Sequence, residues 1–127
     1  MKKMLWVLAI VLALLCGATY LETTLRNDMV GFQQDLGMLE KSMQEGAREE
    51  ALNRLLELSA RWQERREYWE LFIDHRDIDN AELSLATLAT YVEGDAPEPF
   101  WRGEIARMQR YCDHLSEQTR LAWGRLL

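Results

Sequence analysis

Residues 4 to 21, MLWVLAIVLALLCGATYL, carry no charged side chain, and Lys2 and Lys3 stand directly before them. As an α-helix rising about 1.5 Å per residue, the run spans roughly 27 Å, close to the ~30 Å hydrocarbon thickness of a bilayer. No other feature restricts the chain so tightly: the run either crosses a membrane or is a leader removed on export. The leader reading has a small-residue site available at Cys16-Gly17-Ala18. Acylation of Cys16 is disfavoured, because Leu15 stands where a small residue is needed. The anchor reading draws on Trp6 and Tyr20 near the two ends of the run, where amphipathic rings settle at headgroup level. It also draws on the pattern after Leu21, which continues without proline into the rest of the chain.

The sequence therefore divides into an N-terminal membrane anchor, residues 1–21, and an extracytoplasmic helical domain, residues 22–127. Lys2 and Lys3, set against Glu22 and Asp28 beyond the run, place the N-terminus in the cytoplasm and the domain outside. Ala9, Ala13 and Gly17 recur every four residues, giving one small-residue face on which a second membrane helix can approach closely.

Beyond the run, 13 basic side chains stand against 21 acidic ones, a net charge of −8. That sign repels phosphate backbones, which argues against nucleic acid as a partner and against membrane binding by charge. The roughly 106 remaining residues suffice for one domain. Cys16 and Cys112 give no disulfide framework.

The only prolines are Pro97 and Pro99, and apolar residues recur at spacings of three and four, so the fold class is all-α. The first stripe reads Leu25, Met29, Phe32, Leu36, Leu39, Met43, with Gly46 ending it. A second helix starts near Ala47 with the seam Ala51, Leu55, Leu58, Trp62, Arg65, Trp69, Phe72. Its two tryptophans lie on one face as core, and the Arg65 stem covers apolar surface between them. The phase then slips at DHRDID. Asp79 and Glu82 match a capping box, predicting that a third helix starts at Asp79, with a kinked continuous helix as the alternative. This helix carries Ile78, Ala81, Leu85, Leu88 and Val92 and closes at Gly94. The last has the seam Trp101, Ile105, Met108, Cys112, Leu115, Thr119, Ala122, Leu126. Short connections favour an antiparallel bundle of three to four helices after the membrane helix. A helical-hairpin solenoid is the runner-up.

Chemistry-bearing clusters are few. Asp74, His75, Asp77 and Asp79 are the candidates for a metal or ligand site, but their spacing matches neither a zinc nor a calcium pattern, and turn capping accounts for them. Cys112, Asp113 and His114 point apart on a helix. No nucleophile motif or phosphate loop occurs, so neither catalysis nor a cofactor is expected. Leu56, Leu71, Leu83 and Trp123 fall off the seams and are candidates for a partner or self-association surface.

The stretch WELFIDHRDIDNAELSLATLATYVEGD, with Trp69, His75, Ile78 and Asp79 in place, resembles the signature of an uncharacterised family of small membrane-anchored helical proteins from clostridia and bacilli. The resemblance covers most of the chain and implies an envelope location and a membrane partner, without an activity. The ending LAWGRLL departs from the family's Asn-containing close. The expectation is a single-pass interaction or scaffolding subunit of an integral membrane partner, or a homo-oligomer. The alternatives are a ligand- or metal-binding sensor and a secreted soluble protein after leader cleavage.

Overall fold

The computed structural model describes residues 1–71 and 73–126, with side chains as far as Gln118. Among them the chain forms four helices and no strand: α1 (Lys2–Gln44), α2 (Arg48–Trp69), α3 (His75–Glu93) and α4 (Glu98–Leu126). The apolar run and the first stripe belong to one helix of 43 residues, about 65 Å long, with no break at residue 21. Roughly 27 Å of it is the uncharged run, and the remainder matches the length of α2.

Among the described residues the apolar positions of each predicted seam are buried apart from Met43, and Arg65 is partly exposed. Leu25, Met29, Phe32, Leu36 and Leu39 of α1 meet Ala51, Leu55, Leu58, Trp62 and Trp69 of α2. Ile78, Ala81, Leu85, Leu88 and Val92 close the core from α3, with Trp101, Ile105, Met108, Cys112 and Leu115 from α4. Met43 is only half-buried and Ser42 is buried at that end of α1. Phe32, Trp62 and Trp69 pack edge to face at centroid distances of 5.2, 5.5 and 4.8 Å, which fixes the α1–α2 interface by shape as well as area. Phe72 and the side chains of Thr119, Ala122 and Leu126 lie outside the described residues.

Among the described residues α1 packs on α2 and α4, α3 packs on the same two, and the diagonals do not touch. Cross-links show that every neighbouring pair is antiparallel. Asp28 and Asp35 of α1 reach Arg65 and Arg61 of α2. Trp62 and Arg66 of α2 reach Glu82 of α3, and Ser84 and Asp77 of α3 reach Glu104 and Gln118 of α4. Gln33 of α1 donates to the Gln109 carbonyl of α4 at 3.2 Å. The architecture is an up-down-up-down bundle with residues 45–47 and 94–97 at one end and residues 70–74 at the other.

The helix ends follow backbone chemistry. Gly46 adopts φ +72°, which lets the Ala47 and Gly46 amides donate back to the Ser42 and Met43 carbonyls and satisfy the orphaned end of α1. The corresponding position after α3 is occupied by Asp95 (φ 53°), not by Gly94, which stays at φ −84°. The start of α3 corrects the expected capping box. Asp74 is the cap, its carboxylate accepting from the Arg76 amide at 2.9 Å, so α3 begins at His75 and Asp79 lies one turn inside. Asp79 and Glu82 are instead drawn to Arg66 on α2, a full charge that outcompetes a local amide.

Candidate functional site

The uncharged run stands outside the bundle. Its large side chains from Met4 to Leu15 are exposed, and Ala18 alone among residues 4 to 21 is buried. Among the described residues one helix is long and apolar enough to cross a membrane, and a signal sequence would meet the same description. At about 100° per residue, Ala9, Ala13 and Gly17 face roughly a third of a turn away from the line of Ala18, Leu25, Met29 and Phe32 that enters the core. A side chain added at Gly17 would meet nothing within 4 Å, and Ala9, Ala13 and Gly17 are all exposed among the described residues.

The polar cluster at DHRDID is dispersed by the fold. Asp74 caps α3, and His75 is exposed with Nδ1 3.7 Å from the Glu70 carboxylate. Asp77 accepts from Gln118 and has His114 Nε2 at 3.7 Å, while Asp79 pairs with Arg66 at 2.9 Å. Each of the four residues thus faces a different partner. Among the described residues no group of three His, Cys, Asp or Glu side chains is gathered closely enough to hold a metal ion. Cys112 is buried in the seam, where desolvation pushes its thiol pKa up to about 12, with the neighbouring Asp113 charge adding to the effect.

Of the charged residues that organise the bundle, spacing singled out Arg65, Asp79 and Glu82, but not Asp28, Arg66, Glu70 or Glu104. Arg66 binds Glu70, Asp79 and Glu82 together, and the hydrogen bond it donates to Glu70, supported by its hydrogen bond to Glu82 and the Glu82 charge, raises the guanidinium pKa against a smaller desolvation effect. The same contact holds the Glu70 carboxyl below its ordinary range. Trp62 Nε1 also donates to Glu82, at 3.1 Å. On the opposite side of α2, one oxygen of Asp28 accepts from both Arg65 Nε at 2.9 Å and Trp69 Nε1 at 3.1 Å. Glu104 is a buried carboxylate of α4, taking Ser84 Oγ at 2.8 Å and Arg107 at 3.3 Å. Its position one residue before Ile105 in the seam was the available signal. Two shallow grooves follow the α1–α2 junction, of about 210 and 380 Å³, both lined by Arg61, which pairs with Asp35.

Leu56, Leu71 and Leu83 are exposed, at 66, 78 and 68 % of their full area, so all three are available to a partner. They belong to α2, to the 70–74 connection and to α3. Leu71 is set apart by its place at the end of the bundle nearest the apolar run. Trp123 belongs to α4, and its side chain lies outside the described residues.

A family model described as "Domain of unknown function (DUF4363)" matches residues 19–125. The chain belongs to the DUF4363 family. No curated protein matches the sequence, and no solved structure does. The DUF4363 match covers the whole bundle and begins at the last turn of the apolar run, where the burial of Ala18 also begins. The family domain and the packed part of the molecule are therefore the same unit.

Proposed function

We propose that this DUF4363 protein is a single-pass membrane protein whose N-terminus lies in the cytoplasm and whose helical bundle lies outside, working as an interaction or scaffolding subunit of an integral membrane partner. The observation that carries the reading is a run of apolar side chains that the bundle leaves uncovered on a helix continuous with the bundle itself. Exposing so much contiguous apolar surface to water is unfavourable at about 25 cal/mol per Å², and lipid removes that cost. The uncovered Ala9, Ala13 and Gly17 face then offers close approach to a partner helix, where association in lipid depends on packing of small residues. The Lys2 and Lys3 pair sets the orientation.

Alkaline extraction of membranes tests the anchor: the intact chain should remain with the lipid. Copurification after mild detergent extraction tests the partner, which should be lost on Gly17→Leu while the bundle still unfolds at the wild-type midpoint. Recovery of a lone monomer, indifferent to Gly17→Leu, refutes the interaction reading.

A second reading, a leader cut after Ala18, is favoured by the family match starting at residue 19. The mature mass separates the two, since cleavage removes the first 18 residues.

A further inference from the structure

The outer face of α1 differs from those of the other three helices. Opposite the core line of α1 runs a second line with the same alternating steps of four and three: Thr23, Asn27, Val30, Gln34, Gly37 and Lys41, all exposed. The solvent side of a bundle helix ordinarily carries charged residues. Here none stands on the line before Lys41, although the chain beyond the apolar run sums to −8. The four acidic residues of α1, Glu22, Asp28, Asp35 and Glu40, are half-buried and pair with Arg26, Arg65, Arg61 and Arg102. The other helices expose theirs, as at Glu57 and Glu64 on α2, Asp79 and Glu93 on α3, and Asp113 and Glu117 on α4. Gly37 lies on the line and Gly31 beside it, inside a helix where glycine is unfavourable, and no neighbour among the described residues stands within 4 Å of a Cβ built at either. Traced towards the N-terminus with the same steps, the line passes through Tyr20, Cys16, Ala13 and Ala9, all exposed, with no break in the helix. From Ala9 to Lys41 it covers about 50 Å and more than four heptads, the length of seam that supports a coiled coil.

We propose that a second copy of this chain covers this face, the two α1 helices packing parallel and in register from the apolar run to the far end of the bundle. The proposal rests on the anchor reading and deepens the interaction reading by naming the chain itself as the partner. Charge, anchoring and side-chain chemistry all favour a second copy. Two bodies of −8 repel each other, and α1, the helix that exposes no acidic residue, lets them meet without opposing carboxylates. Two copies held by one membrane point the same way and stand at the same height, so each residue of the line meets its own counterpart. Asn27 and Gln34 suit that geometry, since each can hydrogen-bond to the same residue of the second copy, as an isolated Asn does in parallel two-stranded coiled coils. Gly37, Gly31 and Ala13 let the backbones come close. Lys41, in the last turn, can turn its long side chain outward.

Disulfide trapping in native membranes tests the pairing. Cys16 stands on the line and Cys112 is buried, so mild oxidation of the unaltered chain should give a species of twice its mass. In a Cys16→Ala background, Thr23→Cys and Val30→Cys should cross-link likewise, whereas Leu14→Cys and Glu57→Cys, which lie off the line, should remain monomeric. Val30→Glu sets two carboxylates against each other in the pair. It should leave the urea midpoint of the bundle unchanged and weaken the dimer in mild detergent at least about tenfold, as read by sedimentation. Alkaline extraction of the same membranes keeps the two readings apart. If the chain stays with the lipid while residues 16, 23 and 30 cross-link no better than 14 and 57, the pairing is overturned and the anchor stands. If the chain is released, the anchor fails and takes the parallel pairing with it. Cross-linking at 16 without 23 and 30 would confine the contact to the membrane and overturn the pairing along the bundle. Adducts of any other mass would assign the face to a different protein and overturn the second copy, as would a dimer that survives Val30→Glu at wild-type strength.

Discussion

Replacing Asp28 with alanine removes one carboxylate oxygen that serves two donors on α2, Arg65 Nε and Trp69 Nε1. Trp69 is fully buried, so its indole N–H loses its acceptor with no access to water, a penalty of about 1–3 kcal/mol. The pair with Arg65 is partly exposed, its side chains at 35 and 20 %, and contributes at most about 1 kcal/mol after solvent screening. The expected loss is about 1–4 kcal/mol. With a urea slope near 1.5 kcal/mol per M for a domain of this size, the midpoint should fall by roughly 0.7–2.7 M. Urea titration of the detergent-solubilised full chain, followed by tryptophan emission, measures it. Asp28→Asn separates the two donors, because the amide oxygen still accepts from Trp69 while the charge facing Arg65 is gone, and it should cost about 1 kcal/mol. In a Trp69→Phe background the cost of Asp28→Ala should shrink to that same value. Equal effects of Ala and Asn, or additivity with Trp69→Phe within about 0.5 kcal/mol, would refute the view that Asp28 acts chiefly as the indole's acceptor.

Glu70, held below its ordinary range by Arg66, contributes stability that is complete above about pH 4.5 and disappears as pH falls through its lowered native value, so the destabilisation by Glu70→Gln at pH 7 should vanish in acid unfolding measurements. The Cys112 thiol, pushed up to about 12, should resist iodoacetamide at pH 8 in the folded chain. Because the unfolded thiol ionises near 8.5, the wild type should lose stability above that pH with a slope of up to about 1.4 kcal/mol per unit, a slope that Cys112→Ala lacks. Gly31→Ala and Gly37→Ala should each stabilise the isolated protein by up to about 1 kcal/mol in thermal unfolding, since an added Cβ meets nothing within 4 Å at either position. Ser84→Ala should cost about 1–3 kcal/mol in the same assay by depriving the buried Glu104 carboxylate of a donor, and Glu104→Gln, which still accepts from Ser84, should cost less.

The helices and their inward faces were legible because a spacing of three and four leaves few alternatives for Leu25 to Leu39 or for Trp101 to Leu115. The burial of Trp62 and Trp69 followed from the same periodicity. Their hydrogen-bond partners did not, since Asp28 and Glu82 lie on other helices and pair through a register that no local pattern encodes. The misplaced start of α3 has the same origin. Asp79 and Glu82 have the spacing of a cap, and only the position of Arg66 across the interface shows that they are committed elsewhere. Glu104 was hidden for a further reason, because a carboxylate beside a seam reads as solvated until Ser84 and Arg107 are found around it. The glycines in α1 permit two accounts in sequence, a close neighbour or local looseness, and the open space at Gly31 and Gly37 removes the first within this chain.

Because α1 runs from Lys2 to Gln44 as one uninterrupted helix, it behaves as a stiff shaft shared by the apolar run and the bundle. Inserting one alanine near Thr23 would swing the two portions about 100° relative to each other, and seven would restore the phase to within about 20° while lifting the body by roughly 10 Å. Any torque or piston movement imposed on the first five turns would therefore be passed on to the bundle through one continuous helix.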